Sequence, residues 1–418
     1  MKFMRAWLFV YLLCSSPVFA GHHRMNVPSS NIADAKHVLD EATRNGRLNM
    51  ALAMVGDRSG SLMKHAAGST GGETTSPVTE DSIFAIASMT KLVTTIAVLQ
   101  LVERGQVELD TQIDAYLPEL AELRVLEGFD DDGEAVFNEP PQKPTVRELI
   151  THTSGFVYDI WNANAFKAQA RGLTAGLASG NNFLNAPLAF TPGSRWEYGI
   201  GIDWLGVLVE KMSGKRLMPY FADNILAPLE MADTFYEFDK SKLSRAVTMM
   251  ARVDGALIIS PAMQPTPMAE GSMPFYSGGG GLYSTLGDYG RLLQTLLNGG
   301  ELNGTRILEQ ATVDLMFTNQ IGSLMVTSAT TQLPPLSNDM DMTLGEPAKW
   351  GLGFLIHPEG VKNGRGAGSG SWAGLFNSYF WIDREQGIFA IFATQVLPFF
   401  DTEAVATLRA FETAIYAD

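Results

Sequence analysis

Strand-like apolar runs at both ends of this 418-residue chain, with helical periodicity between them, limit the fold more than any other feature. Near the N-terminus, Met50 to Val55 and Leu62 to Ala67 read as two strands around the turn Gly56-Asp57-Arg58-Ser59-Gly60. Near the C-terminus, Trp350 to Ile356, Phe376 to Ile382 and Gly387 to Thr394 read the same way. Between them, Ser88 to Arg104, Thr145 to Thr151, Ile202 to Met212 and Leu286 to Leu297 carry apolar residues at helical spacing, and Ser30 to Arg44 and Asp401 to Tyr416 add a helix at each end. The expected architecture is α+β: one antiparallel sheet built from both termini and flanked by the terminal helices, with an inserted mainly helical subdomain. The expected boundaries are 21–84 and 276–418 for the two parts of the α/β subdomain, and 85–275 for the helical insert. Ile321 to Ala348 is rich in Thr, Ser and Pro and has no period, so it reads as a long loop placed as a lid.

Residues 1–20 have a basic start (Lys2, Arg5), an apolar stretch from Ala6 to Leu13 and a small-residue end at Val18-Phe19-Ala20, the pattern of a cleaved export signal. Cleavage after Ala20 removes Cys14, the only cysteine, so no disulfide or thiol chemistry is expected. Leu13 before Cys14 is too large for a lipoprotein signal. The expected location is the periplasm or medium of a bacterium. A net charge of −15 disfavours nucleic acid and anionic membranes as partners. No second apolar run approaches the roughly 20 residues of a membrane span.

The chemistry is concentrated at Ser88-Met89-Thr90-Lys91. This follows the apolar run Ile83 to Ala87 and opens the segment with Met89, Leu92, Val93, Ile96, Leu99 and Val102 at helical spacing, closed by Gly105. On a helix, i and i+3 share a face, so the Ser88 hydroxyl and the Lys91 amine can meet, and the helix N-terminus favours negative charge there. The plain alternative is a serine N-cap beside a solvated lysine. Ser61-Leu62-Met63-Lys64 repeats the pattern, but on a strand, where i and i+3 face opposite ways, so it is expected to be a chance match. Histidine is scarce and no G-x-S-x-G turn occurs, which disfavours a Ser-His-Asp hydrolase. His152 reads as a histidine bonded to a backbone carbonyl at a helix end. No metal-ligand spacing is present, and no metal or organic cofactor is expected. The glycine run in Ser277-Gly278-Gly279-Gly280-Gly281 lacks a following Gly-Lys-Ser/Thr, so close backbone packing is its expected use, not phosphate binding.

Ser88-Met89-Thr90-Lys91, Leu149-Ile150-Thr151-His152-Thr153-Ser154-Gly155, Tyr198 and Trp372-Ala373-Gly374 together resemble the serine β-lactamase/penicillin-binding-protein superfamily, most nearly the family VIII carboxylesterases, whose fold is like class C β-lactamases. The likeness keeps the same order over residues 30 to 415. It implies a β-lactamase-like fold, Ser88 as nucleophile, Lys91 and Tyr198 as general base and acid, and Trp372, Ala373 and Gly374 as the edge of the substrate cleft. It also implies an oxyanion hole from the backbone N–H groups of Ser88 and of Leu375, on the strand after Gly374. A free lysine is neutral in only about one molecule in 2,500 at pH 7, so either burial must make the lysine a base or a cationic lysine supports a tyrosine phenolate in a coupled pair.

Two departures from the lactamase pattern direct the expected substrate. Tyr-x-Asn is here Tyr198-Gly199-Ile200, and Lys-Thr-Gly is Trp372-Ala373-Gly374. The amide and the cation that would meet an anionic amide substrate are both gone, at about 1–3 kcal/mol for each unpaired group. A serine carboxylesterase is therefore expected, cleaving short- to medium-chain esters through an acyl-Ser88 intermediate. The alternatives are a β-lactamase, a D-amino-acid peptidase or carboxypeptidase, an acyltransferase, and a non-catalytic penicillin-binding-like receptor.

Overall fold

The structure is a computed structural model that describes residues 27–71, 75–260 and 263–417. The segment read as an export signal, with Cys14, lies outside the described residues. Among the described residues no helix is long and apolar enough to cross a membrane.

The chain enters through helix α1 (Ser29–Arg44) and the hairpin β1 (Met50–Asp57) and β2 (Gly60–Gly68). Helix α2 (Thr90–Glu103) follows, then the short α3 (Val146–Ile150), α4 (Gly201–Ser213) and α5 (Leu286–Leu297). The C-terminal part supplies β3 (Lys349–Trp350), β4 (Leu355–His357), β5 (Ser369–Gly374), β6 (Ser378–Asp383), β7 (Ile388–Ala393) and helix α6 (Thr402–Ile415). These strands form one antiparallel sheet in the order β3-β4-β5-β6-β7-β1-β2, so both ends of the chain meet at the β7–β1 pair.

Strands β5 to β7 are buried throughout and show no polar alternation, because the sheet is covered on both faces. Adjacent residues of β6 show the two layers: the Phe380 ring meets Tyr289 of α5, and the Trp381 ring meets Phe411 of α6. Helix α2 is buried all round from Thr90 to Leu101 and packs against α4.

Three local readings differ from the structure. Trp350 to Ile356 is not one strand: it turns through Gly351 and Gly353 and returns as β4. The inserted stretch also carries two hairpins, Val125–Phe129 with Ala135–Asn138 and Met250–Val253 with Ala256–Ile259, whose half-exposed residues lack an apolar stripe. The opposite-face argument for Ser61 and Lys64 also fails locally. A bulge leaves Leu62 without a partner opposite β1, and both residues border the same shallow polar groove.

Candidate active site

The nucleophile candidate sits where the sheet, α2 and the glycine run converge. Phe84–Ala85 pairs with Tyr283–Ser284, and the Gln395 side chain bonds both backbone groups of Ala85 at 2.9 and 3.1 Å. The chain then turns through Ala87, whose φ of +45° lies in the left-handed region, a conformation that costs a non-glycine residue about 1–2 kcal/mol. Ser88 follows in a short 3₁₀ turn, Ala87–Met89, that leads into α2. This turn places the half-buried Ser88 on the wall of a cavity of about 490 Å³, at the positive end of a helix buried from Thr90 to Leu101.

Lys91 is only 1% exposed, yet all its polar needs are met. Its Nζ donates to Ser88 Oγ at 3.2 Å, to Tyr158 Oη at 2.9 Å and to the Gly279 carbonyl at 2.6 Å. The Tyr198 ring lies under the same nitrogen, 4.9 Å from its centroid. The Tyr198 hydroxyl oxygen accepts a hydrogen bond from Trp372 Nε1 at 3.2 Å. Ser88, Tyr158 and Tyr198 all line the one cavity.

Several expected site residues lie elsewhere than expected. Trp372 and Ala373 are buried and do not line the cavity. Trp372 packs edge-on against Trp350 at 4.6 Å, and its indole N–H holds Tyr198. Gly374 is a glycine because a Cβ there would fall 2.4 Å from the Ile86 carbonyl: strand β5 packs directly on the turn that presents Ser88. Leu375 does line the cavity, with Phe376, but from the turn after β5 and not from a strand.

His152 is buried behind Tyr198, with ring centroids 4.7 Å apart, and its Nδ1 accepts the Gly199 N–H at 3.3 Å, a backbone amide where a carbonyl was expected. Burial, then the Lys91 charge, holds its pKa well below the ordinary histidine range, so it stays a neutral packing group. Residues 321–348 are fastened to the site wall: Trp161 Nε1 donates to Ser337 Oγ at 3.1 Å, and the Gln332 N–H donates to the Ile160 carbonyl at 2.7 Å. This stretch bounds a second chamber of about 500 Å³, and Trp161 and Tyr198 line both chambers.

Tyr158 and Asp203 were not singled out in the sequence, and Gly279 was read only as part of a closely packing glycine run. Tyr158 stands just after the Thr-His-Thr-Ser-Gly motif, and Asp203 is the one acid in the apolar run Ile202 to Val209; these were the available signals. Burial raises the Tyr158 pKa well above that of a free phenol, so it keeps its proton. The glycine run packs closely as expected, and Thr94 Oγ1 of α2 bonds the Gly278 carbonyl at 2.6 Å.

The Beta-lactamase family model matches residues 35–414. Monacolin J acid methylbutanoyltransferase of Aspergillus terreus is 34% identical over 360 residues, 82% of this chain and 83% of that protein. Lovastatin esterase of Penicillium rubens is 32% identical over 390 residues, 88% of this chain and 94% of that protein. Among solved structures, unliganded simvastatin synthase from Aspergillus terreus superposes with a TM-score of 0.77 at 30% identity, covering 93% of this chain and 99% of that one. EstCE1, a hydrolase with promiscuous acyltransferase activity, superposes with a TM-score of 0.74 at 19% identity, over 93% of this chain and 99% of its own, a likeness of fold. The chain belongs to the Beta-lactamase family, and with it to the serine β-lactamase and penicillin-binding-protein superfamily.

Proposed function

We propose that this protein is a serine carboxylesterase that takes the acyl group of a neutral, short- to medium-chain ester onto Ser88 Oγ and releases it to water. One observation carries the reading: the Lys91 amine lies 3.2 Å from the Ser88 hydroxyl at the wall of a cavity lined mainly by apolar and aromatic groups. In acylation the Ser88 proton passes into the Lys91 and Tyr198 pair, beside a Tyr158 that keeps its own proton, while Oγ bonds the ester carbon. The developing oxyanion is met by the backbone N–H groups of Ser88 and Leu375. The carbon–alkoxide bond then breaks, and the alcohol leaves with a proton returned from the same pair. Water repeats the sequence on the acyl-serine.

Preference for a neutral ester follows from the lining. Among the described residues Asp203 is its one charged member, and Leu177, Phe183, Met249 and Phe275 form much of the rest. Among the described lining residues no cation is present to meet a substrate carboxylate, and Ile200 stands where the lactamase pattern has an asparagine. Transfer of the acyl group to an alcohol is a second reading. It is supported by the methylbutanoyltransferase likeness and by a second chamber that shares Trp161 and Tyr198 with the first. Export through residues 1–20 belongs to the proposal, and a mature N-terminus at Gly21 is the expected finding.

Turnover of p-nitrophenyl butyrate and nitrocefin, each with and without added alcohol, tests these readings. The expected result is ester cleavage at least about 100-fold faster than lactam cleavage, the cost of about two unpaired polar groups. Butyric acid equal to released nitrophenol supports the esterase; a butyrate ester of the added alcohol supports transfer. Faster nitrocefin cleavage contradicts both.

A further inference from the structure

The buried acid of the site has no part in the chemistry above. Asp203, near the start of α4, is 1% exposed. Its Oδ1 accepts the Gly279 N–H at 2.9 Å and the Ser277 hydroxyl, while Oδ2 has no hydrogen-bond partner among the described residues. The Gly279 carbonyl takes the shortest of the Lys91 hydrogen bonds. A Cβ on Gly279 would lie 2.3 Å from Asp203 Oδ2, so glycine lets the carboxylate lie against the backbone that holds the lysine. One strip of backbone, clamped between α2 and α4, thus has an acid on one side and an amine on the other.

The titratable groups around this strip are Lys91 from α2, His152 and Tyr158 from the segment after α3, Tyr198 from the turn before α4, and Tyr236. Lys91 is the one cation among them. Burial holds the Asp203 carboxyl above its ordinary value, although the Lys91 charge, then the Ser277 and Gly279 hydrogen bonds, act in the opposite direction.

We propose that Asp203 is a positioning residue for Lys91: acting through the Gly279 backbone, its buried carboxylate holds the lysine against Ser88 and balances the ammonium charge. This rests on the acyl-Ser88 reading. Removing the anion takes an opposite charge away from the buried strip, and a charge change there shows in the pH dependence of Ser88 reactivity. A purely structural role would lower the activity of the folded enzyme without moving its pH dependence.

The test is the rate at which a fluorophosphonate labels Ser88 as a function of pH, in the full chain and in Asp203→Asn and Ser277→Ala. In Asp203→Asn the half-maximal rate is expected to move to lower pH by about one unit, an opposite-charge effect of ordinary size, and the maximal rate to fall about tenfold. Ser277→Ala keeps the carboxylate but removes a donor that supports its charge, so a smaller move in the same direction is expected. A rate that falls with its pH profile unmoved overturns the proposal. Should Asp203→Asn fail to fold, Ser277→Ala decides, and a profile superimposable on the wild type is the overturning result. A wild-type chain that takes no label overturns the acyl-serine reading and this proposal with it; a labelled wild type with unmoved variants overturns the proposal alone.

Discussion

Two phenols share one lysine, and their surroundings give them different work. Tyr158 bonds Lys91 Nζ directly and keeps its proton, whereas Tyr198 offers its ring to the same nitrogen and its oxygen to Trp372. Tyr158→Phe removes one of three acceptors from a buried amine, a loss of about 1.5–3 kcal/mol for a charge-assisted bond. The expected fall in kcat/KM is therefore about 10- to 100-fold, read with a p-nitrophenyl ester. Trp372→Phe keeps the packing but frees the Tyr198 oxygen, so kcat should drop about tenfold. Since Trp372 does not line the cavity, KM should stay within about twofold; a rise in KM alone would return it to the substrate wall. Ser88 and Lys91 were legible because their contact spans one helical turn. Tyr158 and Asp203 were not, since they reach the lysine by tertiary packing, across 67 residues in the case of Tyr158. The inward direction of Trp372 was hidden because a strand buried on both faces has no polar side to orient it.

At the level of elements, the site depends on close contact between β5 and the turn before α2. Gly374→Ala would drive a methyl group into the Ile86 carbonyl. A stability loss of about 1–3 kcal/mol in urea titrations is expected, with at least a tenfold fall in esterase rate, because the displaced turn carries Ser88. His357 ties the end of β4 to the fastened 321–348 stretch through a 3.0 Å hydrogen bond from Nε2 to the Thr343 carbonyl. Burial, then the Arg365 charge, lowers its pKa from 6.5 to about 4. The folded state thus holds this imidazole neutral while the unfolded chain takes up a proton. The stabilisation is present above pH 6.5 and lost as pH falls toward 4, by up to about 3 kcal/mol. Unfolding free energies at pH 7, 5 and 4 should show that decline, and His357→Asn should make it shallower; an unchanged slope would contradict this account. The irregular character of 321–348 was readable from composition, but its anchoring through Trp161 and Ile160 was not.

For the whole molecule, closure of the sheet by both termini is the organising fact, and its apolar end segments made it readable. The hairpins within the insert escaped because their strands are short and half-exposed. The closing helix α6 is pinned by Arg365 and Glu412, a nearly fully buried pair joined at 2.7 Å, with the guanidinium also over Trp381. Among the described residues, Arg365→Met leaves Glu412 with only the half-exposed Arg409 for charge, so a loss of about 3–5 kcal/mol is expected in denaturant titrations. Turnover below the transition should be unchanged, since the pair lies away from the cavity lining. All these expectations presuppose that one hydroxyl carries the acyl group. Acid-quenched intact mass and peptide mapping after mixing with p-nitrophenyl butyrate tests that most directly, with Ser88→Ala and Ser61→Ala alongside. The account predicts a butyryl group on Ser88, present in Ser61→Ala and absent from an inactive Ser88→Ala. A butyryl group on any other residue, or full turnover in Ser88→Ala, would contradict it.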